Sequence, residues 1–576
     1  MIEAWFHSFS RTGGWNIHLA DPREVQSADR LPDVLPLVRR AEAAAREGKW
    51  VALLLSYESA PAFDAALVTR EPGAFPLAWM AVFEEIRDVR PAAEGAAPST
   101  WQPSISRDSY ESAIRRIRDY IAAGDTYQVN YTFPLRADFQ GDGAAWFERQ
   151  GPVQAAPWSV FVDTGRFQIL SFSPELFFDW SAGRIVCQPM KGTAPRGLWF
   201  EDDEARARAL AESRKERAEN LMITDMVRSD LGRIAEVGSV QTTALFAIER
   251  YPTLFQLTST VEARSRAGTQ LEHILRALFP GASVTGAPKV RTMQLIRELE
   301  PQPRGLYTGA IGLLRPGGAA QFNLPIRTVV ADRATGKAVF HTGGGVTWDS
   351  TAAGEYGECL LKAAFLMESP RSFSLLETLR LENGEYYLLE QHLRRLRQSA
   401  IYFDAPLDES LVRARSARFA ADHRAGTWRV RWTSDARGGI DIEAHPLIPT
   451  TEPWRVALAG EPVNTRDPFL YHKTTRRGVY DRHLAAHPDC RDVLLWNERG
   501  EITESCRANV SVVLGGKEFT PPVACGLLPG ILRAEMLESG RLTERAIRIE
   551  ELRQAEAVYL LNSVRGRFHI ALTPCG

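Results

Sequence analysis

Long hydrophobic runs are missing from this 576-residue sequence. The apolar run that opens at Trp50 is over by Ser56, far short of the roughly 20 residues that span a bilayer, so no membrane span is expected. The opening MIEAWFHSFSRTGG has no basic segment followed by an apolar block, and no secretion signal is expected either. Cysteine is scarce. The six cysteines, at 187, 359, 490, 506, 525 and 575, form no CxxC and no close pair, which argues against a zinc knuckle and a disulfide framework. A reducing, cytoplasmic setting is the expectation. A charge excess of one sign is missing as well: Lys+Arg 69 against Asp+Glu 71 leaves a net charge of -2. Nucleic-acid binding is therefore not expected, since it rests on a basic surface. The two halves show no internal repeat.

What is present is an ordinary globular mixture, 44% hydrophobic and 24% charged, in a chain too long for one core. Two domains are expected, with a boundary near Glu368-Ser369-Pro370-Arg371: a first over 1–369 and a second over 373–576. Pro91 to Ser99 reads as a surface connection. Apolar residues at Tyr110, Ile114, Ile117 and Ile121 predict a helix over Ser106 to Gly124. One helix is expected from Glu201 to Ala235, another from Pro288, in the first helical position, to Leu299, and a third from Ala353 to Met367. Strands are expected at Tyr127–Phe133, Ser159–Val162, Gln168–Phe172, Gly309–Leu314, Asn323–Val330 and Ala338–Thr342. The second domain opens with a strand over Phe373–Leu381 and a hairpin turn at Asn383-Gly384.

Two carboxylate pairs share one spacing, Glu216/Glu219 in KERAENLM and Glu355/Glu358 in GEYGECLLKA. Residues three apart on a helix face the same way, so each pair presents its oxygens together, and two such helices suit a hard cation such as Mg2+. A lone pair of this kind is usually solvated surface. Here it keeps company: Thr342-Gly343-Gly344-Gly345 reads as glycines ending a strand, where backbone N–H groups can approach an anion. Arg327, read as a strand residue in FNLPIRT, can grip a carboxylate. Phe279 to Lys289 is a small-residue loop, containing Ser283, that leads into a helix N-terminus. Together they describe a pocket for an acidic substrate with Mg2+.

ENLMITDMVRSDLGR, FPGASVTGAPKVRTMQLI, LYTGAIG, FNLPIRT and HTGGGVTWDSTAAGEYGECLLKA, in this order between about Ser106 and Met367, resemble the chorismate-utilising enzymes. Leu55-Ser56-Tyr57-Glu58 resembles a stretch of the same family's N-terminal part. The resemblance implies an anthranilate-synthase-like fold of two β-sheets with outer helices, and chorismate as substrate. It implies Glu219 and Glu358 as Mg2+ ligands with Glu216 and Glu355 beside them. It further implies Tyr307, Arg327 and Ser283 as substrate contacts, and Gly343 and Gly345 as a backbone anion site. Lys191 in CQPMKGTAPRG resembles the lysine of the aminodeoxychorismate synthase component I group, where anthranilate synthases have a small residue. That implies an amine nucleophile, with a pKa lowered by desolvation, adding at C2 of the ring; Glu175 in SFSPELF matches the acid that protonates the departing hydroxyl. Gln256 stands where relatives often have His, and cannot act as a base near neutral pH.

The second half has another vocabulary. HKTTRRG around Lys473, NERGEITES ending at Glu504, EQHLRRL around Arg395 and LLPGILR resemble the fold-type IV pyridoxal-phosphate enzymes, among them aminodeoxychorismate lyase and the branched-chain and D-amino-acid aminotransferases. The resemblance implies Lys473 as the lysine that holds the cofactor, Glu504 on the pyridine nitrogen, and Arg395, Gly530 and Ile531 at the phosphate. Leu532 stands where the family usually has Thr. The usual first strand is expected to be missing or borrowed.

The fold class expected is mixed α and β in two domains. The function expected is bifunctional: Mg2+-dependent amination of chorismate, then pyridoxal-phosphate-dependent loss of pyruvate to give 4-aminobenzoate, a folate precursor. The alternatives are an anthranilate- or isochorismate-type synthase joined to an aminotransferase, or a synthase with a non-catalytic C-terminal docking module. No glutaminase motif of the G-x-C-x-G kind stands in the sequence, so ammonia from a separate glutamine amidotransferase subunit is expected. A homodimer through the C-terminal domain is expected too.

Overall fold

The computed structural model describes residues 2–11, 13–87, 97–368, 373–449 and 451–573. Most of the connection read at Pro91 to Ser99, and the boundary residues 369–372, lie outside the described residues. The chain divides into two compact units, Met1–Arg196 with Ala207–Pro370, and Gly197–Arg206 with Arg371–Gly576. Residues 197–206 thus differ from the sequence-based division. They group with the second unit because Trp199 packs its ring 5.5 Å from Tyr471 and Tyr402 donates a 2.8 Å hydrogen bond to the Gly197 carbonyl. A ten-residue excursion of this kind carries no compositional mark.

The first unit is built on two antiparallel sheets of nine and ten strands among the described residues. Period-two alternation decides which face each side chain takes. In Glu3–His7, Ala4 and Phe6 enter the core between the sheets while Trp5 joins the core under one set of outer helices. In Trp50–Leu55 of the other sheet, Ala52 and Leu54 enter the shared core, and Val51, Leu53 and Leu55 face the opposite helical layer. Helices Arg107–Ala122 and Ala352–Ala363 cover one sheet, and Leu31–Arg46, Arg214–Gly232 and Leu271–Leu278 cover the other. Ser106 caps the first of these, its hydroxyl accepting the Ser109 N–H at 3.2 Å, as the sequence predicts for a helix start.

Four expectations are corrected, each at a place that shapes the site. The helix expected over Glu201 to Ala235 is two, Phe200–Glu212 and Arg214–Gly232, separated at Ser213, whose hydroxyl caps the second by accepting the Glu216 N–H. The strand expected over Asn323–Val330 is also two, Ala320–Asn323 in the ten-stranded sheet and Thr328–Asp332 in the nine-stranded sheet. Arg327 is therefore not a strand residue. It sits where the chain changes sheets, at φ 52, a left-handed conformation costly for a residue with a Cβ. Pro288 precedes the helix Lys289–Leu299 as its N-cap rather than occupying its first turn. The three glycines do not end their strand either: Lys337–Val346 runs through them, paired to Gln128–Asp138 along its whole length.

The second unit holds a four-stranded and an eight-stranded sheet. Its first strand is Leu375–Glu382, followed by the tight turn at Asn383 (φ 49) and Gly384 (φ 85) and the short Glu385–Tyr386. No helix among the described residues is long and apolar enough to cross a membrane. Cys187, Cys359, Cys490, Cys506 and Cys525 are free thiols.

Candidate active sites

One cavity in the first unit gathers every candidate residue named for that half of the sequence. Lys191 enters it from Met190–Pro195, Glu216 and Glu219 from Arg214–Gly232, and Glu355 and Glu358 from Ala352–Ala363. Gly343 and Gly345 line it from the glycine strand, and Glu175, Ser283, Tyr307 and Arg327 complete it. Beyond Phe340 the neighbouring strand Thr328–Asp332 no longer pairs with the glycine strand, so that edge is left without a strand partner where it reaches the cavity. A Cβ added at Gly345 would overlap the Lys191 Nζ, so only a bare backbone lets that amine approach the strand.

The carboxylates differ by surroundings. Burial pushes Glu175 up to about 7 in spite of the Ser283 hydroxyl, which donates to its Oε1 at 2.6 Å, and the nearby Lys191 charge. A carboxyl held near neutrality can keep a proton to give away. Burial and the neighbouring carboxylates raise Glu216 and Glu355; Ser350 donates to Glu355 at 2.7 Å. Glu358 goes the other way because Lys362 lies 2.9 Å from it. Among the described residues, no three His, Cys, Asp or Glu side chains are gathered as a ready-made metal cluster. Arg327 is buried, its Nη1 donating to the Gln154 side chain at 2.8 Å, and burial lowers its pKa to about 10. Burial pushes the Tyr307 hydroxyl well above its ordinary range, and its ring stacks on His341 at 5.3 Å.

Several cavity residues escape a sequence reading. Lys362 stands four residues after Glu358 in the quoted motif, a spacing that announces an ion pair on a helix and could have been used. Lys215 stands four before Glu219, 3.9 Å away. His341, which burial lowers to about 3, and Asn130 carry no local signal.

In the second unit the charges of Arg395, Glu377, Arg477 and Glu504 all act on Lys473. Burial lowers the Lys473 amine to about 8, with the Arg395 and Arg477 cations helping and the Glu377 and Glu504 carboxylates opposing. The Lys473 carbonyl accepts the Leu376 N–H at 2.9 Å, which ties it to the first strand. Glu504 is buried and raised to about 8 by that burial, although Tyr480 donates to it at 2.9 Å and Asn509 at 3.2 Å. Arg395 grips both oxygens of Glu377 (2.8 and 2.7 Å) and donates to the Pro529 carbonyl at 3.2 Å, which sets it beside Gly530 and Ile531. Gly530 is the N-cap of Ile531–Glu538 and supplies no side-chain cap to its first turn. Leu532 is buried against Met536, Leu542 and Leu561. Glu377, in LLETLR, carries no local sequence signal of its role. Burial pushes its carboxyl up, but Arg395 and His392 (2.6 Å) outweigh it and hold it at about 2.

Residues 86–368 match the family of chorismate binding enzymes, and residues 374–572 match amino-transferase class IV. The two matches do not overlap, and each covers less than half of the chain. Aminodeoxychorismate synthase component 1 of Klebsiella aerogenes is 42% identical over 282 residues, 49% of this chain and 61% of that protein. Aminodeoxychorismate synthase of Streptomyces griseus is 41% identical over 325 residues, 55% of this chain and 45% of that protein. The chain thus spans about three fifths or less of these relatives' own length. Anthranilate synthase component I from Streptococcus pneumoniae TIGR4 has the same fold, with a TM-score of 0.54 at 24% identity, covering 62% of this chain and 93% of that one.

Proposed function

We propose that this chain converts chorismate to 4-aminobenzoate in two steps, an amination in the first unit and a loss of pyruvate in the second. The observation that carries the reading is the pairing, in one cavity, of Lys191 with a carboxyl, Glu175, whose burial raises it to about 7. The Lys191 amine bonds to C2 of the ring, both ring double bonds shift around through C1, C6 and C5, and the C4 hydroxyl departs as water with the Glu175 proton. Ammonia then bonds to C4 as the Lys191 amine leaves C2, and a proton from the incoming nitrogen restores the acid. Arg327 and Tyr307 hold a substrate carboxylate.

Four glutamates line the cavity; although no three of the described side chains are gathered as a preformed cluster, their oxygens are the donors a hard divalent cation takes, and burial with mutual repulsion raises Glu216 and Glu355. Mg2+ held by Glu219 and Glu358, with Glu216 and Glu355 beside them, would neutralise a substrate carboxylate. Pyridoxal phosphate fits the second unit, where an uncapped helix start at Ile531 adjoins Arg395 and the charge of a buried carboxyl, Glu504, acts on Lys473. Two of the five Arg395 N–H groups remain for a phosphate after Glu377 and Pro529 are served. The cofactor would act as an electron sink. Glu504 would hold its ring nitrogen; Lys473, lowered to about 8 by burial, takes the proton from C4, and the enolpyruvate that leaves C3 takes up a proton to become pyruvate as the ring aromatises.

Ammonia is supplied by a separate glutamine amidotransferase subunit, in keeping with the component 1 name of the relatives. The second unit pairs with a second copy of the chain, a point that sedimentation will decide. The test of the whole reading is product identification from chorismate, Mg2+ and an ammonium salt, with and without pyridoxal phosphate. 4-Amino-4-deoxychorismate without the cofactor and 4-aminobenzoate with it are expected. Anthranilate, or transamination of branched-chain or D-amino acids, contradicts the reading.

A further inference from the structure

The strand that carries Lys191 is not regular. Met190–Pro195 pairs with Leu254–Arg264, but the register slips between Met190, opposite Thr258, and Thr193, opposite Gln256. Lys191 and Gly192 are the residues inside the slip, and Gly192 has φ 102. A bulge of this kind turns a side chain away from the direction the ladder would give it, and leaves backbone carbonyls without ladder partners. Both carbonyls are taken by side-chain amides. Asn220 donates to the Lys191 carbonyl at 3.1 Å, and Gln256 donates to the Gly192 carbonyl at 3.2 Å and accepts nothing from it.

Each amide is itself held. Asn220 is buried, follows Glu219 on the helix Arg214–Gly232, and spends its second N–H on the Leu257 carbonyl at 3.1 Å. Its Oδ1 accepts the Ser259 hydroxyl at 2.5 Å. Gln256 also donates to the Thr193 hydroxyl at 2.7 Å, so it spans both residues that follow Lys191. One amide comes from the helix that bears two of the carboxylates and the other from the neighbouring strand. The bulge is fixed from two sides.

We propose that Asn220 and Gln256 are positioning residues that hold the Lys191–Gly192 bulge and thereby aim the Lys191 amine into the cavity. The proposal rests on the reading of Lys191 as the nucleophile, and it gives Gln256 a task that needs a donor rather than a base. Each amide nitrogen spends both of its N–H groups on backbone carbonyls or the Thr193 hydroxyl around the bulge. Their removal affects the step that uses the amine more than the binding of the substrate.

The experiment uses the full chain with chorismate, Mg2+ and ammonium, and reads kcat, KM and the acetylation rate of Lys191 relative to Lys362 in the same cavity by mass spectrometry. Because misplacement by about 1 Å costs on the order of 100-fold, Asn220→Leu is expected to lower kcat by about that factor with KM within about threefold, and to change the Lys191-to-Lys362 labelling ratio. Gln256→Leu is expected to cost about tenfold, since one of two clamps remains, and Gln256→His, which keeps an N–H donor, to restore most of it. The double variant is expected to lose less than the product of the single losses, as residues acting on one element do. Should Asn220→Leu fail to fold, the Gln256 pair carries the test. Parental kcat and labelling ratio in both leucine variants, with Lys191→Ala inactive, overturn the clamp alone. Parental amination in Lys191→Ala overturns the nucleophile reading beneath it.

Discussion

On the proposed function, two lysines of this chain, one in each unit, are prepared for chemistry in opposite ways. Lys473 is tuned: burial and the Arg395 and Arg477 cations lower its amine to about 8, against the pull of Glu377 and Glu504. Lys191 is aimed: a bulge, a bare glycine strand and two amides decide where its amine points. The difference follows from what each must do. A lysine that exchanges protons with a bound cofactor needs its pKa near working pH. A lysine that must bond to one ring carbon needs placement first, because orientation alone supplies a large part of such a rate.

The sharpest break of the comparison is the pair of alanine variants. Lys191→Ala is expected to stop amination, a loss on the order of a thousandfold or more, while supplied 4-amino-4-deoxychorismate is still converted. Lys473→Ala is expected to do the reverse, with 4-amino-4-deoxychorismate accumulating; chromatography of both products decides. If either variant lost both steps while remaining folded, the two sites would not be separate.

Next in size is Glu175→Gln, expected to cost about 100- to 10,000-fold in amination, the range of a lost general acid. In the parent, amination at constant free ammonia is expected to fall as pH rises through about 7, because the acid form is the one that donates and burial holds its pKa there. A flat profile across that range would remove Glu175 from the role.

A smaller effect concerns the support of Arg395. Glu377 is held at about 2 because Arg395 and His392 outweigh its burial. Its folded pKa lies below the ordinary glutamate value of about 4.5, so its contribution to stability is present above that value and is lost as pH falls toward about 2. Glu377→Gln is expected to flatten the acid limb of the second unit's unfolding profile and to weaken pyridoxal phosphate binding about tenfold by releasing Arg395. Cofactor titration followed by absorbance and acid unfolding followed by circular dichroism check both.

The smallest is the cap at Ser106. Ser106→Ala is expected to cost the first unit roughly 1 kcal/mol with no change in either product, since it touches only the start of Arg107–Ala122.

Much of this was legible in the sequence where local rules act. Local patterns placed several strands and helices of the first unit and the opening strand of the second, and the Asn383-Gly384 turn announced its hairpin. Motif order brought Glu216, Glu219, Glu355, Glu358 and Lys191 into one reading, and they do line one cavity. What stayed hidden depends on tertiary choices. Arg327 looks like a strand residue until the chain is seen to change sheets there, at φ 52. Residues 197–206 look like part of the first domain until Trp199 packs on Tyr471. Glu377 sits fifteen residues from His392 and eighteen from Arg395, and nothing local links them. Gln256 looked like the loss of a base, whereas in three dimensions it is a donor on a carbonyl.

The measurement that bears most directly on the central claim is the intact mass of the protein, followed by peptide mapping, after mixing with chorismate and Mg2+ in the absence of ammonia. The account predicts an added mass equal to chorismate less one water, on the peptide carrying Lys191, that disappears when ammonium is supplied. An unmodified Lys191 in a sample that goes on to aminate chorismate normally would contradict it.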